Sequence, residues 1–516
     1  MKTFKRSRWG LMEQLSTYVR DKQLQKHIMT ADDAADFIHD GMTIGLSGFT
    51  RAGDAKAVPH ALIKRARKKP FKINVFTGAS LGSDIDAKMA EAGIVNRRMP
   101  FQADRTMRDK INAGEILFVD SHLSHMAENI RRSELELIDV AVIEALAITA
   151  DGYIIPTTSV GNSSLFVDQA KQIIVEINLA QPAALEGIHD IYDVGSQGKD
   201  RQPILMQDVS DRIGEPGIKV DPQKIVGIVL TNEPDSPSTV LPPDAETEQM
   251  AAHLIDFLKG EVQAGRLTNQ LAPLQSGIGT VANAVMYGLL ETDFTDLQVY
   301  SEVLQDAVLD LIDAGKVSFA SGCSMTLSAE KMSEVFSDLG NYKDRLVLRP
   351  QEISNHPEII RRLGLISINT ALEVDIYGNV NSTHVLGTKM MNGIGGSGDF
   401  ARNARLAIFV TKSIAKNGDI SSIVPFVSHV DHTEHDVDVI VTEQGYADLR
   451  GLAPVERAEK IINDCVHPSY RDQLLDYYKG ALRIGGHTPH DLSKAFSWHE
   501  HYATYGTMQQ RVLQKV

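Results

Sequence analysis

The chain has 516 residues, of which 43% are hydrophobic and 23% charged, and it carries 52 Lys and Arg against 67 Asp and Glu. This composition is typical of a folded protein of two or three domains and excludes a disordered or repetitive chain. The net charge of −15 opposes non-specific binding to nucleic acid, whose phosphates attract clustered cations. Two cysteines, Cys323 and Cys465, are too few for a disulfide framework or a Cys-rich zinc site.

The first segment, MKTFKRSRWGLMEQL, is basic but lacks the apolar core and the small-residue cleavage site of a secretory signal. A short mitochondrial presequence is the alternative, because the first acidic residue is Glu13. No run approaches the roughly 18 uncharged apolar residues that span a bilayer. We therefore expect a cytoplasmic protein that does not associate with membranes.

Short β-branched runs alternate along the chain with longer amphipathic stretches. We predict strands, in chain order, at 73–78, 115–123, 139–146, 172–178, 224–232, 297–303, 405–411 and 438–445. We predict helices at 57–69 and 280–292, where apolar residues recur every three to four positions. Apolar runs of four to eight residues indicate strands buried on both faces, as in parallel sheets. The alternation predicts an α/β fold.

The second half of the sequence resembles the first. Three segments align in the same order, namely 139–154 with 365–380, 73–81 with 297–305, and 46–50 with 275–280. Chance similarity between buried strands is the alternative, but the common order favours an internal duplication. A bridge dense in Pro, Gly, Asp and Ser separates the halves. We predict two similar open α/β domains at 1–235 and 236–516.

Two glycine-rich loops are candidate binding elements. In the loop at 392–400, Gly393, Gly395 and Gly398 have the spacing of dinucleotide-binding loops, but no buried strand precedes them, which argues against that function. Their backbone N–H groups can instead approach a carbonyl oxygen or a phosphate, and a purely structural loop is the alternative. The loop at 275–279 precedes a predicted helix, whose N-terminus favours an anion. Its alternative is an ordinary strand-to-helix turn.

Three histidines, His429, His432 and His435, follow one another at three-residue spacing among acidic neighbours. Only a helix would align side chains at this spacing, and the segment leads directly into a predicted strand. We therefore predict a hydrogen-bonded structural loop and no metal site.

Two glutamates interrupt predicted strands near their C-terminal ends, Glu302 and Glu443. Open α/β sheets bind their ligands outside these ends, where a carboxylate can act as a base or a nucleophile. A structural pairing with Arg or Lys is the alternative. These patterns indicate an enzyme-like α/β protein, but they do not specify a reaction.

Long motifs in a fixed order identify the chain as resembling the acetyl-CoA hydrolase/transferase family of class I CoA-transferases. The resemblance covers nearly the whole chain and implies two similar open α/β domains. The motifs are GLSGFTRAGDAKAVPHAL (45–62), RRMPFQADRTMR (97–108), QSGIGTVANAV (275–285), VYSEVLQDAVLDLIDAGK (299–316), EISNHPEIIRRLG (352–364), NGIGGSGDFARNA (392–404), SHVDHTEHDVDV (428–439) and VTEQGYADLRGL (441–452).

This resemblance implies transfer of CoA between carboxylates, foremost from succinyl-CoA to acetate. Glu302 would attack the acyl-CoA thioester, and the resulting anhydride would become a glutamyl-CoA thioester. The backbone at Ile278 and Gly396 would stabilise the oxyanions, and Asn355 and Glu443 would line the site.

CoA enters this reaction as substrate and product, and no permanently bound cofactor is expected. The resemblance implies that CoA binds at Gln275, Ser276, Gly277, Ile278, Gly279, Asn392, Gly396 and Lys416. At one position of the bridge the sequence departs from the pattern that we expect of the family. Ser236 follows Asp235, where we expect an Arg that could bind a CoA phosphate. The expected partners are acyl-CoA, small carboxylates and a second copy in a homodimer, but not nucleic acid.

Three alternatives to this function stay open. The same residues could hydrolyse acetyl-CoA, because water can replace the acceptor at the anhydride. The second is exchange of CoA between propionyl-CoA and succinate, since a pocket discriminates only weakly between acids that differ by one methylene. The third is a non-catalytic binding protein that responds to CoA or a nucleotide, which would need the glycine loops but not Glu302.

Overall fold

The computed structural model describes residues 16–82, 84–195, 201–239 and 242–510. Its strands, in chain order, are β1 (Thr43–Leu46), β2 (Ile73–Phe76), β3 (Val95–Met99), β4 (Leu117–Phe118), β5 (Val140–Ala145), β6 (Ala147–Ile148), β7 (Tyr153–Ile155), β8 (Gln172–Asn178), β9 (Ile218–Lys219), β10 (Ile225–Thr231), β11 (Leu274–Ser276), β12 (Leu297–Tyr300), β13 (Val303–Leu304) and β14 (Val317–Gly322). They continue with β15 (Ser324–Met325), β16 (Leu346–Leu348), β17 (Ile366–Thr370), β18 (Glu373–Asp375), β19 (Val380–Asn381), β20 (His384–Val385), β21 (Lys389–Met390), β22 (Leu406–Val410), β23 (Ile414–Ala415), β24 (Ile420–Ser421), β25 (Ile423–Val424), β26 (Val439–Thr442) and β27 (Gly445–Asp448).

The α-helices lie between these strands and after the last of them. They are α1 (Ala31–Ala35), α2 (Ala57–Ala66), α3 (Ile85–Glu91), α4 (Arg105–Asn112), α5 (Leu123–Arg131), α6 (Ser163–Gln169), α7 (Ala245–Gln263), α8 (Thr280–Gly288), α9 (Asp306–Asp313), α10 (Ala329–Ser337), α11 (Gln351–Ser354), α12 (Pro357–Leu363), α13 (Ser397–Asn403), α14 (Pro454–Asp464), α15 (Pro468–Ile484) and α16 (Ser497–Tyr505). Within the described ranges, none of these helices has the length and apolar character needed to cross a bilayer.

The chain forms two compact units, and each of them is discontinuous in sequence. Unit 1 consists of Met1–Thr239, Tyr300–Asp306 and Phe319–Ile359, and unit 2 consists of Val240–Val299, Ala307–Ser318 and Ile360–Val516. The first break follows Thr239, shortly after the predicted boundary at Asp235. The units are not the two continuous domains that we predicted. Glu302 belongs to unit 1, whereas our prediction assigns it to the C-terminal domain.

Backbone hydrogen bonds explain why the two later segments belong to unit 1. The N–H of Val160 donates to the carbonyl of Cys323 at 2.9 Å, and the N–H of Met325 donates to the carbonyl of Thr158 at 2.9 Å. These bonds satisfy backbone groups that burial would otherwise leave unpaired. The N–H of Cys323 in turn donates to the carbonyl of Glu302 at 2.8 Å, so the segment that carries Glu302 also folds as part of unit 1.

The centre of unit 1 is a seven-stranded sheet with the order β10-β8-β5-β1-β2-β3-β4, in which all neighbouring strands are parallel. All six residues of β5 are buried, as continuous apolar runs in a parallel sheet predict. Helix α2 packs Val58 and Leu62 into a core that also contains Ile44 and Val75 of the sheet. Also in unit 1, the last three residues of β14 pair in parallel with β16.

Unit 2 repeats this strand order. Its strands follow one another as β12-β11-β17-β22-β26, all parallel, and β27 adds to β26 in antiparallel direction. The aligned sequence segments place β12 with β2, β11 with β1 and β17 with β5, so this order matches β2-β1-β5-β8-β10 of unit 1. Helices α14 and α15 contribute Ile461 and Tyr470 to a core with Phe409 and Ile440 of the sheet. The predicted α/β class and duplicated pattern are confirmed.

Several predicted elements differ from those observed. The strand predicted at 115–123 is only β4, since Leu117 is 53% exposed at the edge of the sheet and α5 begins at Leu123. The helix predicted at 280–292 ends at Gly288 and continues as a 3-10 turn. Strands β1 and β3 were not predicted, because Gly45 and the charged pair Arg97 and Arg98 interrupt their apolar runs.

Candidate active site

Glu302 lies in the two-residue connection between β12 and β13, as the sequence predicts for a residue at a strand end. Its side chain is half-buried, and the amide Nδ2 of Asn355 donates a hydrogen bond to its Oε1 at 2.5 Å. The backbone N–H groups of Cys323 and Ser324 both donate to the Glu302 carbonyl, at 2.8 and 3.1 Å. The carboxylate is therefore held in one orientation while part of it stays accessible.

The elements on both sides of this pair are themselves fixed. Asn355 ends helix α11, and its backbone N–H donates to the carbonyl of Gln351 at 2.9 Å. The hydroxyl of the fully buried Tyr300 donates to the carbonyl of Ile353 at 2.6 Å, which ties the end of β12 to α11. Within the helix, Glu352 makes a bidentate ion pair with Arg131. Because these contacts already hold Glu302 and Asn355 in place, the two side chains lose less conformational freedom when a substrate binds.

An apolar cluster packs around the segment that carries Glu302. Its members are Phe49, Ala79, Leu123, Val303 and Cys323, with Phe101 against them. Burial, together with the neighbouring Glu302, raises the pKa of the Cys323 thiol well above its usual value, so it stays protonated and is a poor nucleophile. Among these neighbours, Glu302 is the group suited to attack a carbonyl.

In unit 2, the segment Gln275–Gly279 begins in β11 and continues beyond its C-terminal end, where the strand order reverses between β12 and β17. Its start is fixed by a mutual pair of amide hydrogen bonds between Gln275 and Asn369, at 3.3 and 3.2 Å. Gly279 caps α8 with φ 111°, a conformation that favours glycine. Ile278 is 43% exposed, and its N–H donates to no residue in the described part of the chain. The loop thus offers a free backbone donor at a typical ligand position.

The second glycine loop of unit 2 ends at Gly396, before helix α13. The amide of Asn392 donates to the carbonyls of Ser382 and Gly393, at 3.2 and 2.9 Å. Gly396 precedes α13, and its N–H has no acceptor among the residues that the structure describes. The strand before this loop, β21, belongs to an antiparallel pair. The loop therefore lacks the βαβ setting of a dinucleotide fingerprint, as predicted.

Lys416 lies at the rim of a cavity in unit 2 of about 450 Å³, which Lys412, Ile414 and Asn417 also line. Its side chain is exposed, and it forms no ion pair with another described residue. Nearby Lys412, in contrast, pairs with Asp244 and with Glu246, the latter at 2.8 Å. Lys416 is therefore the cation of this cavity that is available to an anionic ligand.

Glu443 is half-buried just after β26 in unit 2. Burial acts to raise its pKa, but hydrogen bonds from Gln444 and Ser413 outweigh burial and leave its pKa below the usual value. The backbone N–H of Ser413 donates to it at 2.8 Å, and the amide of Gln444 at 2.9 Å. Glu443 is thus an ionised group that accepts hydrogen bonds, and no Arg or Lys pairs with it within the described ranges.

The three histidines of unit 2 occupy separate environments. His429 stacks on His384 and lies 3.3 Å from Asp431, and His432 is buried with its Nε2 3.1 Å from the hydroxyl of Ser397. His435 belongs to a 3-10 turn. The described residues contain no group of three or more acidic, Cys or His side chains arranged to hold a metal ion.

Our sequence reasoning missed a buried ionic cluster in unit 1. The Lys56 ammonium lies 2.6 Å from Glu144 and 3.0 Å from Asp235, and all three side chains are inaccessible to solvent. Asp54 is also fully buried, and neither of its carboxylate oxygens has a hydrogen-bond partner in the described structure. Glu144 interrupts an apolar strand just as Glu302 does. The same signal could therefore have found it.

Asp235, the bridge residue before Ser236, belongs to this cluster. Asp235 accepts hydrogen bonds from the amide of Gln181 at 3.0 Å and from the N–H of Gly53 at 3.2 Å, in addition to Lys56. Thr158 also donates to it. Asp235 thus ties the bridge to the interior of unit 1.

The predicted site residues are divided between the units. Unit 1 brings Glu302 and Asn355 into direct contact. All the other predicted residues belong to unit 2, where Ile278, Gly396 and Lys416 present donors with no acceptor among the residues that the structure describes.

Two family models match the chain. The acetyl-CoA hydrolase/transferase N-terminal domain matches residues 12–230, and the C-terminal domain of the same family matches residues 332–478. A succinyl-CoA:acetate CoA-transferase of Clostridium kluyveri is 53% identical over 95% of this chain and 92% of that protein. A propanoyl-CoA:succinate CoA transferase of Escherichia coli is 45% identical over 93% and 98% of the two chains.

The same family includes proteins named as hydrolases. An acetyl-CoA hydrolase of Schizosaccharomyces pombe is 44% identical over 96% of this chain and 98% of that protein. Among solved structures, a 4-hydroxybutyrate CoA-transferase of Porphyromonas gingivalis has the same fold, with a TM-score of 0.61, 21% identity and coverage of 89% and 99% of the two chains. The matched models and the near full-length relatives together show that the chain belongs to the acetyl-CoA hydrolase/transferase family.

Proposed function

We propose that the protein is an acyl-CoA:carboxylate CoA-transferase that moves CoA from succinyl-CoA to acetate and releases acetyl-CoA and succinate. The observation that carries this proposal is the Glu302 carboxylate, which accepts a hydrogen bond of 2.5 Å from Asn355 in a half-buried setting. The relative that is 53% identical is a succinyl-CoA:acetate CoA-transferase, which supports this pair of acids.

The reaction proceeds by exchange at two carbonyl carbons. The Glu302 carboxylate attacks the thioester carbonyl, the C–S bond breaks, and CoA leaves as a thiolate with an acyl-glutamyl anhydride left behind. The thiolate attacks the glutamyl carbonyl, breaks the anhydride C–O bond and releases succinate. Acetate then attacks the glutamyl-CoA thioester, and the two steps run in reverse. No net proton is consumed, and the acyl-CoA and glutamyl-CoA thioesters on the two sides of each anhydride are of similar energy.

Each attack creates an oxyanion that needs hydrogen-bond donors. The backbone N–H groups of Ile278 and Gly396 have no acceptor in the described structure, so they are available for this role. Preorganised donors of this kind stabilise a transition state because they do not reorganise as charge develops. Asn355 orients the Glu302 carboxylate for attack, and Lys416 attracts a phosphate of CoA. Binding energy from the nucleotide end of CoA can then act at the small acyl group.

Hydrolysis of acetyl-CoA is the second candidate, and the hydrolase relative at 44% identity favours it. The two reactions share the anhydride and differ in whether water or an acceptor carboxylate consumes it. Measuring release of free CoA thiol with and without added acetate separates them. A transferase releases little free thiol and forms acetyl-CoA from succinyl-CoA only when acetate is present, whereas a hydrolase needs no acceptor.

Substitution of the nucleophile tests the mechanism directly. In Glu302→Ala, we expect transfer to fall by at least about 10⁴-fold, because both covalent intermediates require the carboxylate. An exposed glutamate of the same unit, changed in Glu330→Ala, serves as the control and should leave activity unchanged. Borohydride reduction of the enzyme with acyl-CoA should trap the thioester, and peptide mass spectrometry should locate it at residue 302. Full activity in Glu302→Ala contradicts the mechanism.

Two expectations about the whole protein extend this proposal. We propose that the protein forms a homodimer, because closed dimers are the commonest assembly of oligomeric proteins. We also propose that it is located in the cytoplasm. Light scattering of the purified protein should give twice the mass of one 56.6 kDa chain. Imaging of a tagged chain in its cell of origin tests the location.

A further inference from the structure

A tight turn beside the nucleophile segment holds two residues in a strained conformation. Phe49 and Ala52 exchange backbone hydrogen bonds of 3.0 and 3.3 Å across the turn. The two residues between them, Thr50 and Arg51, have φ of 49° and 71°. Turns with positive φ at both central positions normally use Gly, Asn or Asp, and a β-branched residue such as Thr is an outlier there.

The surroundings of the turn maintain this strain. The hydroxyl of Thr326 donates to the Thr50 carbonyl at 2.7 Å, and the hydroxyl of Ser159 donates to the Ala52 carbonyl at 2.9 Å. The N–H of Arg51 donates to the carbonyl of Ser80 at 3.1 Å. Strained backbone persists where its surroundings over-determine it, and such positions concentrate at ligand sites.

Arg51 is the exposed residue in an otherwise buried run. Every other residue from Thr43 to Lys56 is buried, whereas the Arg51 side chain is open to solvent. Its guanidinium forms no ion pair and donates no hydrogen bond to a residue of the described ranges. The turn thus presents a guanidinium that has no partner in the described part of the chain, on a rigid base.

The turn also packs against the segment that carries Glu302. Phe49 belongs to the apolar cluster that contains Val303 and Cys323. Val303 follows Glu302 in the chain, and the N–H of Cys323 donates to the Glu302 carbonyl. The second link runs through Thr326, which bonds the turn and donates its own N–H to the carbonyl of Leu304 at 3.0 Å. Both contacts lie within unit 1.

We infer that Arg51 determines specificity by binding the distal carboxylate of a dicarboxylic acyl group, the succinyl half of the exchange. This inference rests on the proposed function. The protein has a net charge of −15, and the Glu302 carboxylate is itself negative. A dicarboxylate that approaches Glu302 is therefore repelled more strongly than a monocarboxylate, because it carries a second negative charge. A guanidinium matches a carboxylate with two parallel hydrogen bonds, and it offsets that repulsion. Acetate and propionate have no second carboxylate and do not need this contact.

The test compares acceptors in one enzyme. With acetyl-CoA as donor, we expect Arg51→Gln to lower kcat/KM for succinate by about 10- to 100-fold, the effect of losing a charged hydrogen bond. The value for propionate should change less than about threefold, and Arg51→Lys should recover part of the loss because it keeps the charge. Arg67, an exposed arginine at the end of α2, provides the matched control as Arg67→Gln.

Two results would overturn the inference. The first is an equal loss with succinate and propionate together with a raised KM for acetyl-CoA, which would place Arg51 on a CoA phosphate. The second is no change with either acid. Wild-type exchange between acetyl-CoA and propionate tests the proposed function separately, because Arg51 has no part in it. Calorimetric binding of succinate and propionate to the CoA-loaded protein gives a readout that does not depend on turnover, and only the succinate Kd should rise in Arg51→Gln.

Discussion

At the scale of single residues, the partner of a charged side chain decides what the side chain can do. Glu302 has an amide partner, Asn355, which orients it without neutralising its charge. Glu144 has a lysine partner at 2.6 Å in a fully buried setting. Both glutamates interrupt apolar runs of the sequence, but of the two only Glu302 is not fully buried and can attack a carbonyl.

Lys416 and Lys412 form a matched pair for testing the CoA contact. We expect Lys416→Ala to raise KM for acetyl-CoA by about 10-fold, since a charge-assisted hydrogen bond to a phosphate contributes about 1.5 kcal/mol. Lys412→Ala should change KM much less, because Asp244 and Glu246 already hold that ammonium. Steady-state kinetics at two salt concentrations checks this, as screening should weaken the Lys416 effect. Equal effects of the two substitutions would contradict the assignment.

At the scale of elements, a strand carboxylate caps a helix of unit 1. Glu176 of β8 accepts hydrogen bonds from the first N–H groups of α2, those of Lys56, Ala57 and Val58, at 2.7, 2.9 and 2.6 Å. These groups have no intrahelical acceptor, and the helix dipole favours a negative charge beside them. This explains why a glutamate is tolerated in a strand whose other residues, Gln172 apart, are apolar or buried.

Removing this cap should weaken folding. Glu176→Ala leaves three N–H groups without this acceptor, two of them on buried residues, and we expect the free energy of unfolding to fall by about 2–4 kcal/mol. Glu176→Gln keeps one acceptor oxygen and should lose less. Urea unfolding followed by circular dichroism measures both, with the Glu330→Ala protein as reference. A loss below about 0.5 kcal/mol for Glu176→Ala would show that water replaces the cap.

For the whole molecule, the buried cluster of Asp54, Lys56, Glu144 and Asp235 links stability to pH. Burial raises the pKa of Asp54 to about 6, although Lys56 partly opposes this shift and Asp235 adds to it. Burial also raises the pKa of Glu144. One ammonium cannot neutralise three carboxylates, so protons remain on the cluster at mildly acid pH.

The sign of the effect follows from proton binding. Asp54 holds its proton more tightly in the folded chain than in the unfolded one, so folding is favoured below pH about 4 and loses this contribution as pH rises through about 6. Asp54→Asn cannot ionise, and we expect it to be more stable than the wild type by about 1–3 kcal/mol at pH 8, with a smaller difference at pH 5. Urea unfolding at pH 5, 6, 7 and 8 measures this. Exposed Asp32 supplies the control as Asp32→Asn, whose difference from wild type should not follow this pH profile.

Sequence alone determined the α/β class, the duplication and the strands with long apolar runs. It also singled out Glu302, because a charged residue at the end of an apolar strand is a local signal. Strand β8 coincides with its prediction, whereas β1 and β3 were missed where Gly45, Arg97 and Arg98 interrupt the apolar pattern. Periodicity and propensity act over a few neighbouring residues, so such interruptions hide an element whose burial comes from tertiary packing.

Only the tertiary structure decided which of the two glutamates that interrupt apolar runs, Glu144 or Glu302, has a carboxylate that can react with a substrate. Glu144 and Glu302 look alike in sequence, and their fates depend on Lys56 and Asn355, which lie 88 and 53 positions away along the chain. It also placed Glu302 in unit 1, because hydrogen bonds from distant strands hold the segment that carries it. A local pattern carries no information about such distant partners, and it is the partner that sets the charge, orientation and exposure of a buried carboxylate.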